Sequence, residues 1–185
     1  MILTKQFLNQ NVSDELNEKF IDKRSLEKEI RKEYDIFISY SWNDKAFAFK
    51  VVYLLEQCGY STYVDYKDKK LNRKNVTKNT AMHLTSEMKK CKVLLYLSSP
   101  SASVSKWCPW EVGYFSGIKD FKCANLPLIE NYGDNFKNQE YLEIYPYIEY
   151  EKYSNKKVFD FWVCTNDETY VPLKKWINGI EPQKH

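Results

Sequence analysis

The fold of this chain is decided by one stretch, which reads Val93-Leu-Leu-Tyr-Leu-Ser-Ser-Pro-Ser-Ala-Ser-Val-Ser-Lys-Trp-Cys-Pro-Trp-Glu111. A short apolar run, typical of a buried strand, ends in a loop of small residues, and a helix is predicted to begin near Trp107. Residues four apart on a helix share a face, so Trp107 and Glu111 are expected to project together. A carboxylate held beside an indole at the carboxyl end of a strand is a candidate catalytic group. The alternative is a core tryptophan followed by a solvated acid.

Strands and helices alternate on both sides of this stretch. Runs of apolar, β-branched and aromatic residues predict strands over residues 34–40, 60–64, 92–98, 124–129 and 158–163. Apolar residues at helical spacing predict helices over residues 45–58, 76–90, 107–115 and 171–180. These connections leave no room for hairpins. We therefore predict an α/β fold, a doubly wound parallel sheet of about five strands with helices on both faces.

Two segments lie outside this alternation. Residues 1–33 are predicted to form an amphipathic helical extension, in which Ser13 and Ser25 are candidate N-caps. This extension is expected to pack on the main domain, residues 34–185, with self-association as the alternative. Residues 131–153, rich in Tyr, Asn and Glu, are expected to form a long ordered loop.

Composition argues against several classes of function. The 185 residues carry a net charge of +3 with lysines mixed among acids, which is not the pattern of a nucleic-acid-binding surface. No stretch approaches the roughly 20 apolar residues that span a bilayer, and the first residues do not resemble a signal peptide. Five widely spaced cysteines and only two histidines indicate reduced thiols in the cytoplasm and argue against a metal site.

Motifs for phosphate cradles and serine nucleophiles are absent from the sequence. It has only five glycines and contains neither a dinucleotide-binding Gly-x-Gly-x-x-Gly nor a P-loop. It also lacks a Gly-x-Ser-x-Gly elbow. The sequence therefore predicts a site centred on a carboxylate, or no catalytic site. Such a site is expected beyond the carboxyl ends of the parallel strands, where residues 39–43, 65–75 and 98–107 emerge.

Three stretches resemble signature motifs of the Toll/interleukin-1 receptor (TIR) domain family. They are Tyr34-Asp-Ile-Phe-Ile-Ser-Tyr-Ser-Trp-Asn-Asp44, Gly59-Tyr-Ser-Thr-Tyr-Val-Asp65 and Ser103-Val-Ser-Lys-Trp-Cys-Pro-Trp-Glu111. The first resembles the opening strand motif, the second the strand before the BB loop, and the third the Trp-Cys-x-x-Glu motif of the third helix. The resemblance covers residues 34–130 and implies a flavodoxin-like fold. Residues 67–75 depart from it, because they lack the glycine and proline often found in BB loops.

The resemblance also implies a function. Some TIR domains only bind one another, whereas others cleave NAD+ between nicotinamide and ribose. Stand-alone TIR proteins of antiphage systems such as Thoeris convert NAD+ into a cyclic or conjugated ADP-ribose signal that activates an effector, and this small chain resembles that type. NAD+ is then the substrate, with no cofactor. The expected partners are other TIR surfaces and a downstream effector, with neither nucleic acid nor membrane.

The resemblance makes Glu111 the expected catalytic residue. Its carboxylate suits the positive charge that builds on the ribose as the N-glycosidic bond breaks. The expected substrate-binding residues are Ser39, Tyr40, Ser41, Trp42, Asp65, Arg73 and Trp107. Structural alternatives exist for several of them. Ser41 also fits a helix cap, and Asp65 fits a brace for the loop that follows it. Arg73 also fits a solvated surface charge.

Two other functions compete with NAD+ cleavage. The first is a TIR interaction module without catalysis, in which loop 66–75 and the helix faces bind another TIR domain. The second is an enzyme like the nucleoside 2-deoxyribosyltransferases, in which the glutamate is a covalent nucleophile.

Trp110, one residue before the acid, is expected to pack in the core.

Overall fold

The computed structural model describes residues 1–27, 32–65, 77–134, 139–153 and 158–185. The strands of this part of the chain form one mixed sheet. They are β1 (Leu3–Thr4), β2 (Tyr34–Ser39), β3 (Thr62–Val64), β4 (Cys91–Ser98), β5 (Cys123–Ile129), β6 (Tyr147–Lys152), β7 (Phe159–Asn166), β8 (Thr169–Pro172) and β9 (Gln183–Lys184). Their order across the sheet is β3-β2-β4-β5-β6-β7-β8-β9, and β1 pairs with β5.

The strands from β3 to β6 run parallel to one another. Counted along the chain from β2, their order is second, first, third, fourth and fifth, which is the order of flavodoxin-like folds. The predicted doubly wound sheet is therefore confirmed. Strands β7, β8 and β9 extend it in antiparallel fashion, so the sheet is not parallel throughout.

The fifth parallel strand differs from the predicted one. Residues 158–163 fall mostly in the antiparallel β7, whereas the fifth parallel strand is β6, inside the segment predicted to be a loop. In β6, buried Ile148 and Tyr150 alternate with more exposed glutamates, which is the pattern of a strand with one face in the core. The alternation is short and interrupted by charge, which hides the strand in the sequence.

Helices cover both faces of the parallel strands. They are α1 (Lys5–Asn11), α2 (Asp14–Glu27), α3 (Lys45–Gln57), α4 (Lys78–Lys89), α5 (Pro100–Ser103), α6 (Trp107–Ile118) and α7 (Leu173–Ile177). Ile36 and Ile38 of β2 join the cluster that includes side chains of α1, α3 and α7. Phe37, between them, joins the cluster that includes α4 and α6. Alternate residues of one strand thus face different helices.

The helix ends follow the sequence in part. Gly59, after α3, has a φ of +85°, the predicted left-handed conformation. The helix predicted over residues 171–180 is shorter, because Thr169–Pro172 forms β8 and only Leu173–Ile177 is helical.

The N-terminal segment is helical but also contributes β1 to the sheet. Ser13 Oγ accepts the Leu16 N–H at 3.2 Å at the start of α2, as predicted. Ser25 lies inside α2 and is not an N-cap. Phe20 of α2 packs edge-on against Tyr53 of α3, so the extension packs on the domain. Among the described helices, none is both long enough and apolar enough to cross a membrane.

Candidate active site

Glu111 lies at the carboxyl edge of the parallel strands. Helix α6 begins at Trp107, and Pro109 occupies its first turn, where a missing N–H is tolerated. Glu111 follows directly and is only 4% exposed. Its Oε2 accepts a hydrogen bond of 2.5 Å from the Oγ of Ser39, the last residue of β2. The fold thus brings together two predicted site residues that are 72 positions apart.

Ser39 belongs to a row of polar residues that crosses neighbouring strands. Ser39 pairs with Tyr96, and Tyr96 pairs with Asn125, so their side chains share the face that α6 covers. Burial raises the pKa of Tyr96, and the nearby Cys108 raises it further, which keeps the phenol neutral. Sequence reasoning missed Tyr96 and Asn125. In the sequence, each stands out as a polar residue inside an otherwise apolar strand, and the two strands are paired at these positions.

Asp65 follows β3 at the same edge and is 6% exposed. Its side-chain Oδ1 has no hydrogen-bond partner in the described part of the chain. Its main-chain carbonyl accepts a hydrogen bond of 2.6 Å from the hydroxyl of Tyr40. Asp65 Oδ1 therefore binds no backbone amide in the described part of the chain, and the loop that it was predicted to brace, residues 66–75, lies outside the described residues.

Tyr40 does not join Ser39 and Glu111. It comes one residue after Ser39, is buried, and packs with Ile38 in the cluster on the opposite face of the sheet. Its hydroxyl holds the backbone of Asp65. This geometry favours a positioning role over the direct substrate contact that the sequence predicted for Tyr40.

Ser41 and Trp42 lie where the chain leaves β2 and enters the 3-10 turn Trp42–Asp44. The Ser41 side chain makes no cap hydrogen bond, although its carbonyl accepts the Asp44 N–H at 2.8 Å. Trp42 is 41% exposed, with the Nζ of Lys45 4.4 Å from the centre of its ring. Both residues therefore follow β2 at its carboxyl end. Arg73, another predicted site residue, lies outside the described residues.

Three aromatic rings form a ladder along α6. Trp107 stacks on Trp110 with 4.7 Å between ring centres, and Trp110 stacks on Tyr114 at 5.7 Å. Trp107 and Trp110 are both half-buried and pack against the core cluster that includes α4 and α6, so Trp110 borders the core as predicted without being fully buried in it. Trp107 is the ring nearest the start of α6 and hence nearest the carboxyl edge of the sheet. Trp110 stacks on Trp107 with one face and on Tyr114 with the other, and this stacking fixes the plane of the Trp107 ring.

Another buried acid at this edge has a structural partner. The Oδ2 of Asp44 accepts a hydrogen bond of 2.5 Å from the Oγ of Ser99. The same Ser99 oxygen accepts the N–H of Ala102 and so caps α5. This pair ties the chain after β2 to the chain after β4. Sequence reasoning missed it, although a serine followed by proline after a strand is a helix-start signal.

A cavity of about 280 Å³ lies away from these residues, on the antiparallel strands. It is lined by Tyr147, Glu149, Trp162, Cys164 and Tyr170, among others, and by none of the predicted site residues. Burial raises the pKa of the Cys164 thiol to about 12, so this cavity offers no reactive thiolate.

Comparisons with known proteins identify the family of this chain. The family model of the TIR domain matches residues 36–158. A protein of Bacillus cereus, named probable 3′ cyclic ADP-D-ribose synthase ThsB′, is 39% identical over 148 residues, which cover 79% of this chain and 76% of that protein. The TIR domain of a Toll-related receptor from Hydra magnipapillata is 17% identical, with a TM-score of 0.42 over 62% of this chain and 82% of that one. The chain belongs to the TIR domain family.

Proposed function

We propose that this protein cleaves the bond between nicotinamide and ribose in NAD+ and forms an ADP-ribose-derived signal in antiviral defence. The observation that carries the proposal is the buried Glu111, oriented by Ser39 at the carboxyl edge of the sheet. The name of the Bacillus cereus relative, a probable 3′ cyclic ADP-D-ribose synthase, supports a cyclic product.

The chemistry of the bond fits a site built on one carboxylate. Cleavage builds positive charge on the ribose, and a fixed carboxylate in a site shielded from water stabilises that charge. Nicotinamide is bound as a pyridinium cation and leaves as a neutral molecule, so no general acid is needed. Glu111 is the catalytic residue in this proposal, and Ser39 fixes the direction of its Oε2 through their hydrogen bond.

Other predicted residues are assigned to parts of the substrate within the same proposal. We assign the outer face of Trp107 to stacking on an aromatic ring of NAD+. Ser41 and Trp42 are assigned to the ribose or pyrophosphate, and Asp65 to a sugar hydroxyl. Arg73 is assigned to a phosphate.

Partners and setting follow from the same proposal. NAD+ is the substrate and not a resident cofactor. The protein associates with further copies through TIR surfaces, acts in the cytoplasm, and its product activates a downstream effector. Neither nucleic acid nor membrane takes part.

The test is mass spectrometry of the products formed when NAD+ is incubated with wild type and with Glu111→Gln, at high protein concentration. We expect nicotinamide and a cyclic ADP-ribose isomer from the wild type and neither from the variant. Equal nicotinamide release from both proteins contradicts the assignment of Glu111. If the protein associates with itself at high concentration but turns over no NAD+, even when lysate from infected cells is added, the result favours the interaction module.

A further inference from the structure

Asp65 is a buried acid whose side chain lacks the partners that burial demands. It is 6% exposed, yet its Oδ1 accepts no hydrogen bond in the described part of the chain. Leaving a buried polar atom unpaired is costly, and such groups in native proteins are normally satisfied. The nearby Asp44 shows the ordinary arrangement, since its Oδ2 is bound by the hydroxyl of Ser99. A hydrogen-bond donor on a bound molecule would satisfy Asp65 Oδ1.

Asp65 lies beside the Ser39–Glu111 pair. Phe37 of β2 and Tyr63 of β3 are register partners, and their rings stack with 5.4 Å between centres on the face covered by α6. Ser39 and Asp65 each come two residues later along these parallel strands. They are therefore neighbours across the ends of the two strands, about 5 Å apart at the backbone. Ser39 donates to Glu111, so Asp65 and Glu111 are both neighbours of Ser39.

Cyclisation makes two demands that one carboxylate meets poorly. The ribose cation needs a negative charge beside it, and the attacking hydroxyl needs an acceptor for its proton. The Oε2 of Glu111 is already oriented by a hydrogen bond, whereas the Oδ1 of Asp65 has an open acceptor position. Two carboxylates with different partners at one site commonly divide such roles.

We propose, resting on the proposed NAD+ cleavage, that Asp65 is the catalytic residue that accepts the proton of the attacking hydroxyl in the cyclisation step. The bond between the ribose carbon C1″ and the pyridinium nitrogen breaks, and its electron pair leaves with neutral nicotinamide. An oxygen of the adenosine ribose forms the new bond to C1″, and its proton passes to Asp65 and then to solvent. No oxidant or reductant is needed. When water attacks instead, the product is linear ADP-ribose.

The test is the ratio of cyclic to linear product made by Asp65→Asn, with Asp44→Asn as the matched control. Both variants neutralise a buried acid at the same edge of the sheet. We expect Asp65→Asn to lower the cyclic share of product at least tenfold, whatever the fall in total nicotinamide release. Asp44→Asn is expected to leave the ratio unchanged. An unchanged cyclic share in Asp65→Asn overturns the proposal, as does a wild type that makes only linear product.

Two further measurements separate catalysis from a structural role. Asp65→Gly with added sodium formate should regain cyclic product, because formate supplies the missing carboxylate, whereas sodium chloride at the same ionic strength should not. The thermal unfolding midpoint of Asp65→Asn should equal or exceed that of the wild type, since Asn has the size of Asp and Oδ1 has no hydrogen bond to lose in the described part of the chain. A lower midpoint together with no formate rescue assigns Asp65 to bracing and contradicts the proposal. Absence of nicotinamide release by the wild type is a separate outcome, which overturns the proposed function itself.

Discussion

Two acids at opposite ends of the parallel strands, Asp35 and Asp65, differ in their hydrogen-bond partners. At the amino end, Asp35 of β2 accepts hydrogen bonds from Lys92 Nζ at 2.8 Å and from both the N–H and the hydroxyl of Ser61 at 3.0 Å. Burial acts to raise the pKa of Asp35, but these donors outweigh it and hold the pKa below its usual value. At the carboxyl end, Glu111 and Asp65 are more deeply buried, and Asp65 Oδ1 has no described partner.

In our proposal, this difference separates Asp35, an acid that stabilises the fold, from Asp65, an acid that takes part in the chemistry. A carboxylate with a full set of donors contributes to stability, because its partners compensate for the water it has lost. A buried carboxylate with an open acceptor position costs stability unless a ligand supplies the donor. The carboxyl end of the sheet is where open α/β folds bind ligands, so the cost falls where binding can offset it.

The largest effect should come from Glu111→Gln. The substitution keeps the size of the side chain and removes the charge that stabilises the ribose cation, so nicotinamide release should fall by about a thousandfold or more. The unfolding midpoint should change little, because Gln keeps the size of the side chain and its amide oxygen can still accept the hydrogen bond from Ser39. Rates from an endpoint assay of nicotinamide, with melting followed by circular dichroism, give both numbers. A large drop in midpoint would place Glu111 among the structural acids.

Removal of the aromatic platform should have the next largest effect. Trp107→Ala should raise the KM for NAD+ by roughly tenfold or more, because stacking of a base on an aromatic side chain is worth about 1–3 kcal/mol. Trp110→Phe is the matched control, since it keeps a ring behind Trp107 and should change the KM less than about threefold. Equal KM values for Trp107→Ala and wild type would contradict a stacking role.

Loss of the serine that orients the acid should be milder. Ser39→Ala removes one hydrogen bond to a charged group, so kcat should fall by about tenfold, in line with about 1.5 kcal/mol for such a bond. Ser39→Thr keeps the hydroxyl and should recover part of the rate. A Ser39→Ala enzyme as fast as wild type shows that Glu111 is oriented without Ser39.

The smallest effect, and the opposite pattern, is expected for Asp35→Asn. Lys92 is half-exposed, so the loss of stability at neutral pH should be about 1 kcal/mol. Because the pKa of Asp35 is lowered by folding, its contribution is present above the ordinary pKa of about 4 and is lost as pH falls below it. The gap between wild type and variant in urea unfolding should therefore close in acid, while NAD+ turnover at pH 7 stays unchanged. Reduced NAD+ turnover in a folded Asp35→Asn protein would contradict a purely structural role for Asp35.

The sequence could predict the parallel half of this fold because each strand there is a compact apolar run next to a periodic helix. It could not predict the antiparallel half. In β6, charges and aromatic residues alternate over only six residues, and the pairing with β7 depends on contacts that the local pattern does not carry. Likewise, nothing local distinguishes the short closing helix from the strand Thr169–Pro172 before it.

The sequence could predict those parts of the candidate site that depend on the type of a residue. It could not predict the parts that depend on how side chains are arranged in the folded chain. Glu111 could be found from its motif and its place after a strand. The different roles of Ser39 and Tyr40 depend on the alternation of side chains across β2, which sends one towards α6 and the other to the opposite face. The open acceptor on Asp65 and the Asp44–Ser99 hydrogen bond depend on tertiary contacts, so no sequence pattern reports them.

The most direct test of this account is a crystal structure of Glu111→Gln with NAD+ bound. We predict that the ribose of the nicotinamide lies at the carboxyl edge of β2 and β3, beside residue 111, with a sugar hydroxyl within hydrogen-bond distance of Asp65 Oδ1. NAD+ bound elsewhere, for example in the cavity lined by Tyr147, Trp162 and Tyr170, with Asp65 still unpaired, would contradict the claim that this edge is the active site.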